Sequence, residues 1–160
     1  MLSIRPLLSD DHRKIVDIWH RGWHDAHAGL VPKGVLNYRA IDHFWSWLHC
    51  STDQFYVAVE GEILGFVSMQ GSEIVKLYVD VQSRGNGTAA KLLSFAERRI
   101  HDQNLVDSVL FCIAGNARAE RFYEREGWIL TQTFSDKLWL PQNAVSVFIA
   151  DTHRYTKRLT

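Results

Sequence analysis

The stretch Asp80–Leu93, DVQSRGNGTAAKLL, sets Gly85 and Gly87 between an apolar alternating run and an apolar helical run. A loop that joins a strand to a helix N-terminus presents unpaired backbone N–H groups and the positive end of the helix dipole, so it can hold an anion. Gly85 and Gly87 have no side chain to keep a phosphate away, and glycine takes up the positive φ angles of a backbone nest. The same glycines would also suit a plain strand–helix turn. No Gly-Lys-Ser/Thr follows, which excludes a P-loop. Gly85-Asn86-Gly87-Thr88-Ala89-Ala90 satisfies the loose G-x-G-x-x-A dinucleotide pattern. That fingerprint belongs after the first strand of a parallel sheet, however, and three strand-like runs precede it here. A second cluster is His20, His24 and His27, which fall on one side of a helix. No fourth ligand or metalloprotease glutamate accompanies them, so packing beside Trp19 and Trp23 is expected and no metal site is assigned.

The elements that must position these residues follow from periodicity. Ile4–Leu7 reads as an opening strand. Ser9-Asp10-Asp11 offers N-cap chemistry to a helix whose Ile15, Ile18, Trp19, Trp23 and Ala26 share one face, with Gly29 as its stop. Pro32 suits the first turn of a second helical region that runs to about His49, with Ile41, Phe44, Trp45 and Leu48 as its stripe. The period then changes to two. Residues 55–59, 63–69 and 73–81 read as an antiparallel meander with turns at Glu60-Gly61-Glu62 and Gly71-Ser72. After the glycine loop, Ala89, Leu92, Leu93, Ala96 and Ile100 mark a helix packed on a sheet. Residues 108–114 suit a buried strand reached by a parallel crossover. Asn116 is an N-cap for a helix that ends at Gly127. Residues 128–134 and 144–159 are the last strands, and 135–143 has no clear assignment. The order β-α-α-β-β-β-α-β-α-β-β predicts an α/β fold, one mixed and mostly antiparallel sheet with helices on both faces.

Composition narrows the function classes. The 160 residues predict one domain, 1–160, with 46% hydrophobic and 22% charged residues. Lys plus Arg and Asp plus Glu are 18 each, so no basic excess argues for nucleic acid or an anionic membrane as partner. No apolar run approaches the roughly 18 residues that span a bilayer, and the N-terminus has no signal-peptide pattern. With only Cys50 and Cys112 and no metal-ligand spacing, a cytoplasmic protein with two reduced thiols is expected.

Two motifs, taken with the loop, carry a resemblance. Gln82-Ser83-Arg84-Gly85-Asn86-Gly87, preceded by Leu77-Tyr78-Val79, resembles the Q/R-x-x-G-x-G/A motif of the GCN5-related N-acetyltransferase (GNAT) superfamily. Asn116 to Trp128, NARAERFYEREGW, resembles that family's N-x-x-A-x-x-F-Y-x-x-x-G-F segment. Trp23 to Pro32 is similar to the tryptophan-to-proline segment of many bacterial members, and Ile4-Arg5-Pro6 and Arg154-Tyr155 are also typical. Val81 stands where proline is common, Thr88 where isoleucine is common and Trp128 where phenylalanine is common. None of these departures removes a backbone donor.

The resemblance implies the GNAT (acyl-CoA N-acyltransferase) fold and transfer of acetyl from acetyl-CoA directly to an amine acceptor in a ternary complex. The amine is a small molecule or a peptide or protein amine. It implies that the backbone of Arg84, Gly85, Asn86, Gly87, Thr88 and Ala89 holds the diphosphate. Leu77, Tyr78 and Val79 would pair with the pantetheine arm like an added strand and supply an N–H to the attacked carbonyl. Asn116, Ala119 and Phe122 would contact the cofactor. Tyr123 matches the family's general acid toward the departing thiolate, although a core aromatic beside Phe122 has the same pattern. Glu73 matches a base or water-positioning carboxylate of several branches, and it also suits a solvated residue beside a turn. Trp23, His27 and Leu30 would wall the acceptor pocket, where plain packing is the alternative. A non-catalytic acyl-CoA-binding sensor would keep the loop and lack the chemistry. The acceptor and the oligomeric state have no signal in the sequence.

Overall fold

A computed structural model describes all of residues 1–160. Seven strands form one sheet: β1 Ser3–Pro6, β2 Gln54–Glu60, β3 Glu62–Gln70, β4 Glu73–Val79, β5 Asp107–Ile113, β6 Ile129–Lys137 and β7 Ile149–Arg158. Their order is β1-β2-β3-β4-β5-β7-β6, and every neighbouring pair is antiparallel except β4 with β5. The helices are α1 His12–His27, α2 Ile41–Cys50, α3 Thr88–His101 and α4 Ala117–Arg125. The expected α/β fold, one mixed and mostly antiparallel sheet with helices on both faces, is the observed one.

Two apolar cores lie on opposite sheet faces. Leu92, Leu93, Ala96 and Ile100 of α3 pack with Val67, Met69, Leu110 and Tyr155 of the sheet, and Phe122 and Tyr123 of α4 join them. On the other face Ile15, Trp19 and Trp23 of α1 and Phe44 and Leu48 of α2 pack on Val57 and Phe66. The stripes read from the 3.6-residue period are these buried faces, apart from Ile41, which is exposed.

Three expectations are corrected. The second helical region is not continuous: a short 3-10 helix, Lys33–Tyr38, precedes α2, and Arg39-Ala40 breaks the two apart. The cause is that the Arg39 carbonyl accepts from His24 Nε2 at 2.6 Å instead of a helical amide, while the Ala40 amide is held by His43 Nδ1. Residues 135–137 continue β6, and the irregular connection is 138–148. Asp11 does not cap α1; its carboxylate accepts from Leu8 N and from Arg5, which holds it below the usual carboxylate range.

The feature that positions the site is where β4 and β5 part. They pair only at Glu73↔Val109 and Ile74↔Leu110. Just beyond, the β3–β4 register slips, with Ser68 opposite Lys76 and Met69 opposite Ile74, so Val75 is an unpaired bulge residue. A bulge reverses which side chains face which way and bends the strand. Ile74 therefore shares the α3 face with Leu77 and Val79, while Lys76 and Tyr78 face α1 and α2.

Candidate active site

The wedge between the separated ends of β4 and β5 is a cavity of about 870 Å³, within the roughly 300–1,000 Å³ range of ligand sites. One end is the glycine loop. Gly85 and Gly87 have φ of 82° and 86°, which a side chain would strain, and a Cβ at either would meet nothing within 4 Å. The loop's glycines thus serve its backbone conformation. That conformation leaves the amides of Gly85, Asn86, Gly87, Ala89 and Ala90 without a backbone partner at the start of α3. The Asn86 side chain turns back onto Thr88, accepting from its hydroxyl at 2.7 Å. Two ion pairs hold the loop to α1: Lys14 with Asp80 at 3.3 Å and Arg84 with Asp25 at 2.9 Å. Arg118, Arg121 and Arg125 of α4 join Arg84 along the rim. Orphan amides, a helix N-terminus and four guanidinium groups fit a diphosphate.

The middle of the cavity is the freed edge of β4. Leu77, Tyr78 and Val79 all line it, and their outward backbone groups have no strand partner on the β5 side. The Tyr78 ring lies so close to α1 that a Cβ on Gly22 would come within 2.7 Å of its Cδ1. A mid-helix glycine, unfavourable by about 1 kcal/mol against alanine, is explained by that contact. Opposite, α4 contributes Asn116, Ala119, Phe122 and Tyr123. Asn116 Oδ1 accepts from Ala119 N at 3.3 Å, so the cap is real, and its amide NH₂ is left free. Tyr123 packs between Phe122 and Tyr155, with ring centroids 5.3 and 5.9 Å away, and its hydroxyl has no partner in the chain. Burial, foremost, raises its pKa, so the phenol keeps its proton at neutral pH. Cys112 also lines the cavity, and burial pushes its thiol up to about 12.

The far end is aromatic. Trp23 and His27 line it, as expected of an acceptor pocket, but Leu30 does not; its side chain packs against Gly115. The cavity also takes in four residues that no motif or period marks: Arg39, Trp47, Lys76 and Trp139. Trp47 and Trp139 stack at 4.6 Å and 2°. Lys76 Nζ lies 2.5 Å from Asp53 Oδ2, among the rings of Trp19, Trp47 and Phe55. Glu73 does not line the cavity. It is half-buried behind Lys76 at the start of β4, and burial first, then Asp53 and Asp136, raise its carboxyl while Lys76 lowers it. Of the three clustered histidines, His24 bonds Arg39 O, His20 packs edge-on to Phe44 and His27 faces the cavity.

Residues 37–138 match the acetyltransferase (GNAT) domain family. The chain belongs to the GNAT acetyltransferase family. A comparison with curated protein sequences finds no match. Among solved structures, a GCN5-related N-acetyltransferase from Rhodopseudomonas palustris is 18% identical, covering 98% of this chain and 95% of its own, with a TM-score of 0.73. An N-acetyltransferase from Staphylococcus aureus Mu50 is 19% identical over 100% and 99%, with a TM-score of 0.71. An N-acetyltransferase of Thermoplasma acidophilum in complex with coenzyme A is 16% identical over 99% of both chains, with a TM-score of 0.68. The likeness to these structures is one of fold. GNAT acetyltransferases use acetyl-CoA as acyl donor, and the loop, the freed β4 edge and the arginine rim are residues that fit it. No helix is long and apolar enough to cross a membrane.

Proposed function

We propose that this GNAT acetyltransferase moves acetyl from acetyl-CoA directly to an amine in a ternary complex. The observation that carries the reading is the wedge between β4 and β5, which joins an anion-holding loop to an aromatic pocket through one continuous cavity. Acetyl-CoA supplies the thioester; transfer forms an N–C bond and breaks the C–S bond. The amides of Gly85, Asn86, Gly87 and Ala89, with Arg84 beside them, bind the diphosphate, while the Thr88 amide, which donates to Asn86 Oδ1 at 3.4 Å, shapes the loop. The backbone of Leu77–Val79 holds the arm and directs an N–H at the carbonyl oxygen, where charge develops. Asn116 through its free NH₂, with Ala119 and Phe122, lines the arm's other side.

Tyr123 donates its phenolic hydrogen to the departing sulfur. With a raised pKa it acts chiefly as a hydrogen-bond donor, since a phenol above its ordinary value of about 10 is a weaker acid than a thiol near 8.5. The amine must lose a proton before it attacks. Glu73 has a raised carboxyl, which makes it a better base at neutral pH, but it does not line the cavity, so it would take the proton through a bridging water. Cys112 argues for direct transfer over a covalent acetyl-enzyme: the thiolate is the nucleophile, and a thiol near 12 is almost wholly protonated at pH 7. Trp23 and His27 form part of the acceptor wall.

Calorimetric titration with acetyl-CoA, followed by amine-dependent thiol release, tests the reading. Micromolar binding supports it, and no binding up to about millimolar, roughly −4 kcal/mol, overturns it. Tyr123→Phe keeps the ring packing and separates enzyme from sensor. It should lower turnover on the order of 100-fold with acetyl-CoA affinity kept. Unchanged turnover would remove Tyr123 from the chemistry.

A further inference from the structure

Only two buried side-chain polar atoms in this protein lack a hydrogen-bond partner, Arg39 Nε and His27 Nδ1. Both residues line the aromatic end of the cavity, and the Trp23 ring lies against both, 4.8 Å from the Arg39 guanidinium carbon and 5.5 Å from the His27 ring. Buried polar groups are almost always satisfied, so two orphans side by side in a ligand cavity point to a ligand.

Arg39 is the sharper of the two. It is 1% exposed and makes no ion pair; of the other cations that line the cavity, Lys76 pairs with Asp53 and Arg84 and Arg118 with Asp25, while Arg121, Arg125 and Lys137 are exposed and have water for their charge. Its Nη1 donates to Tyr38 O at 2.9 Å and its Nη2 to Trp139 O at 2.8 Å. Two neutral carbonyls fix the plane of the guanidinium but do not balance its charge. A guanidinium has five N–H donors in a rigid fork, so three remain. Trp23, Trp47 and Trp139, at 4.8, 5.0 and 5.7 Å, partly offset the charge and exclude water. A buried cation with no anion is costly, and the group that best completes a planar fork is a carboxylate. Burial lowers Arg39 to about 10 and His27 to about 4, so the first stays charged and the second neutral at pH 7. Lys76 is neutralised by Asp53, and Asp136 and Lys137, which also line the cavity, are exposed, so Arg39 is the one buried charge here without an ion partner. An amine with no anionic group would leave that guanidinium unpaired.

We propose that Arg39, with His27 beside it, anchors a carboxylate of the acceptor, so that the amine acetylated here belongs to a small carboxylate-bearing amine of the amino-acid kind. The inference rests on the cavity being an acetyltransferase site. Tyr78 lines the same cavity, its ring held against α1 by Trp19 and Phe66. The carboxylate would sit on the α1 and α2 side of Tyr78 and the amine would reach past it toward Tyr123.

The test compares the common amino acids with their carboxamides and their decarboxylated amines, by acetyl-CoA-dependent thiol release and by thermal shift in saturating CoA. The amine is nearly the same in each trio and only the carboxylate changes. At least one amino acid should exceed its carboxamide by about 100-fold or more in kcat/KM, since a site built around a hydrogen-bonded group rejects analogues that lack it. Arg39→Gln should abolish that discrimination through KM and leave acetyl-CoA affinity unchanged. Arg39→Lys should restore part of the preference. The wild-type comparison needs no variant, so a misfolded Arg39→Gln does not shield the proposal. Equal or better use of the carboxamides or decarboxylated amines overturns it, as does CoA binding with no amino acid turned over or stabilising. Absence of CoA binding fails the underlying acetyltransferase reading instead, and is told apart by calorimetry.

Discussion

Asp53 and Lys76 lie on the α1 and α2 side of the sheet, with side chains 6% and 8% exposed and the charged atoms 2.5 Å apart. Ser68 donates to the same carboxylate oxygen at 2.8 Å. The ammonium is walled by Trp19, Phe55 and Trp47, whose ring centroids are 5.4, 5.6 and 5.9 Å away. At such a separation two unit charges attract by about 6–7 kcal/mol at an effective dielectric of about 20. Withdrawing both from water costs several kcal/mol per ion, so the pair as a whole is close to neutral against an apolar pair of similar shape. Removing one partner exposes the asymmetry. Asp53→Ala leaves an ammonium among aromatic rings with no anion, and the expected loss is about 3–5 kcal/mol. That is a large part of the ~5–15 kcal/mol that stabilises a typical domain. At about 2–4 °C per kcal/mol for a chain of this size, Tm should fall by roughly 6–20 °C. The double variant Asp53→Ala/Lys76→Met removes both charges and keeps an unbranched stem against the same rings, so it should recover to within about 1 kcal/mol of the wild type. Urea unfolding of the wild type, both single variants and the double, followed by tryptophan fluorescence, closes the cycle. A loss below about 1 kcal/mol for Asp53→Ala would refute the reasoning, because the ammonium would then have to reach water. The small hollow bordered by Cys50, Asp53, Lys76 and Trp139 would be its route.

Gly22→Ala adds helix propensity worth about 1 kcal/mol but drives a Cβ to 2.7 Å from Tyr78 Cδ1. Tyr78 is held by Trp19 and Phe66, so net destabilisation of about 1–3 kcal/mol is expected in a denaturant titration, and a stabilised variant would mean the ring swings freely. Cys112→Ala should change kcat by no more than a few-fold; lost turnover in the variant, with a wild-type acetyl adduct on Cys112 by mass spectrometry, would replace direct transfer with a covalent route. His27 is lowered to about 4 in the folded protein and is near 6.5 unfolded, so the unfolded chain binds the extra proton between those values. Stability should therefore fall on acidification from pH 6.5 toward 4, by at most about 1.4 kcal/mol per pH unit from this group, and His27→Gln should flatten that limb in a pH series of urea titrations.

The glycine-loop half of the cavity was legible because each of its parts is local. The glycine loop follows β4 and opens α3 within one continuous stretch, and Asn116 caps α4 as its position before Ala117 suggests. The meander of β2, β3 and β4 shows in period-two runs bounded by Gly61 and Gly71. The wedge itself has no sequence signal. Glu73–Val79 alternates like any strand, and the Val75 bulge that re-aims its side chains depends on the register with β3. The bulge also explains Glu73, which a regular strand would put on the face of Leu77 and Val79. It lies instead with Lys76 and Asp136, behind the cavity. Leu30 fails for a simpler reason: α1 stops at His27, and the following turn carries Leu30 onto Gly115.

The aromatic half of the cavity follows a different logic. Trp23 and His27 come from α1, Arg39 from the break before α2, Trp47 from α2, and Trp139 from the irregular connection between β6 and β7. Arg39 and Trp139 are 100 residues apart and joined by one hydrogen bond. No window of sequence contains this pocket, so no motif describes it, and a shared fold at 16–19% identity does not transfer its specificity. What can be read is the balance of charges. The glycine-loop end has four arginines lining it, and Asp25 already offsets part of that field. The aromatic end has a buried lysine matched by an aspartate, an exposed Asp136 and Lys137, and one buried arginine matched by nothing. Folding has left that guanidinium dry, fixed by two carbonyls and three indoles. A purely structural arginine could make those contacts from the surface, with its charge in water. Keeping it buried has a stabilising counterpart only when an anion arrives.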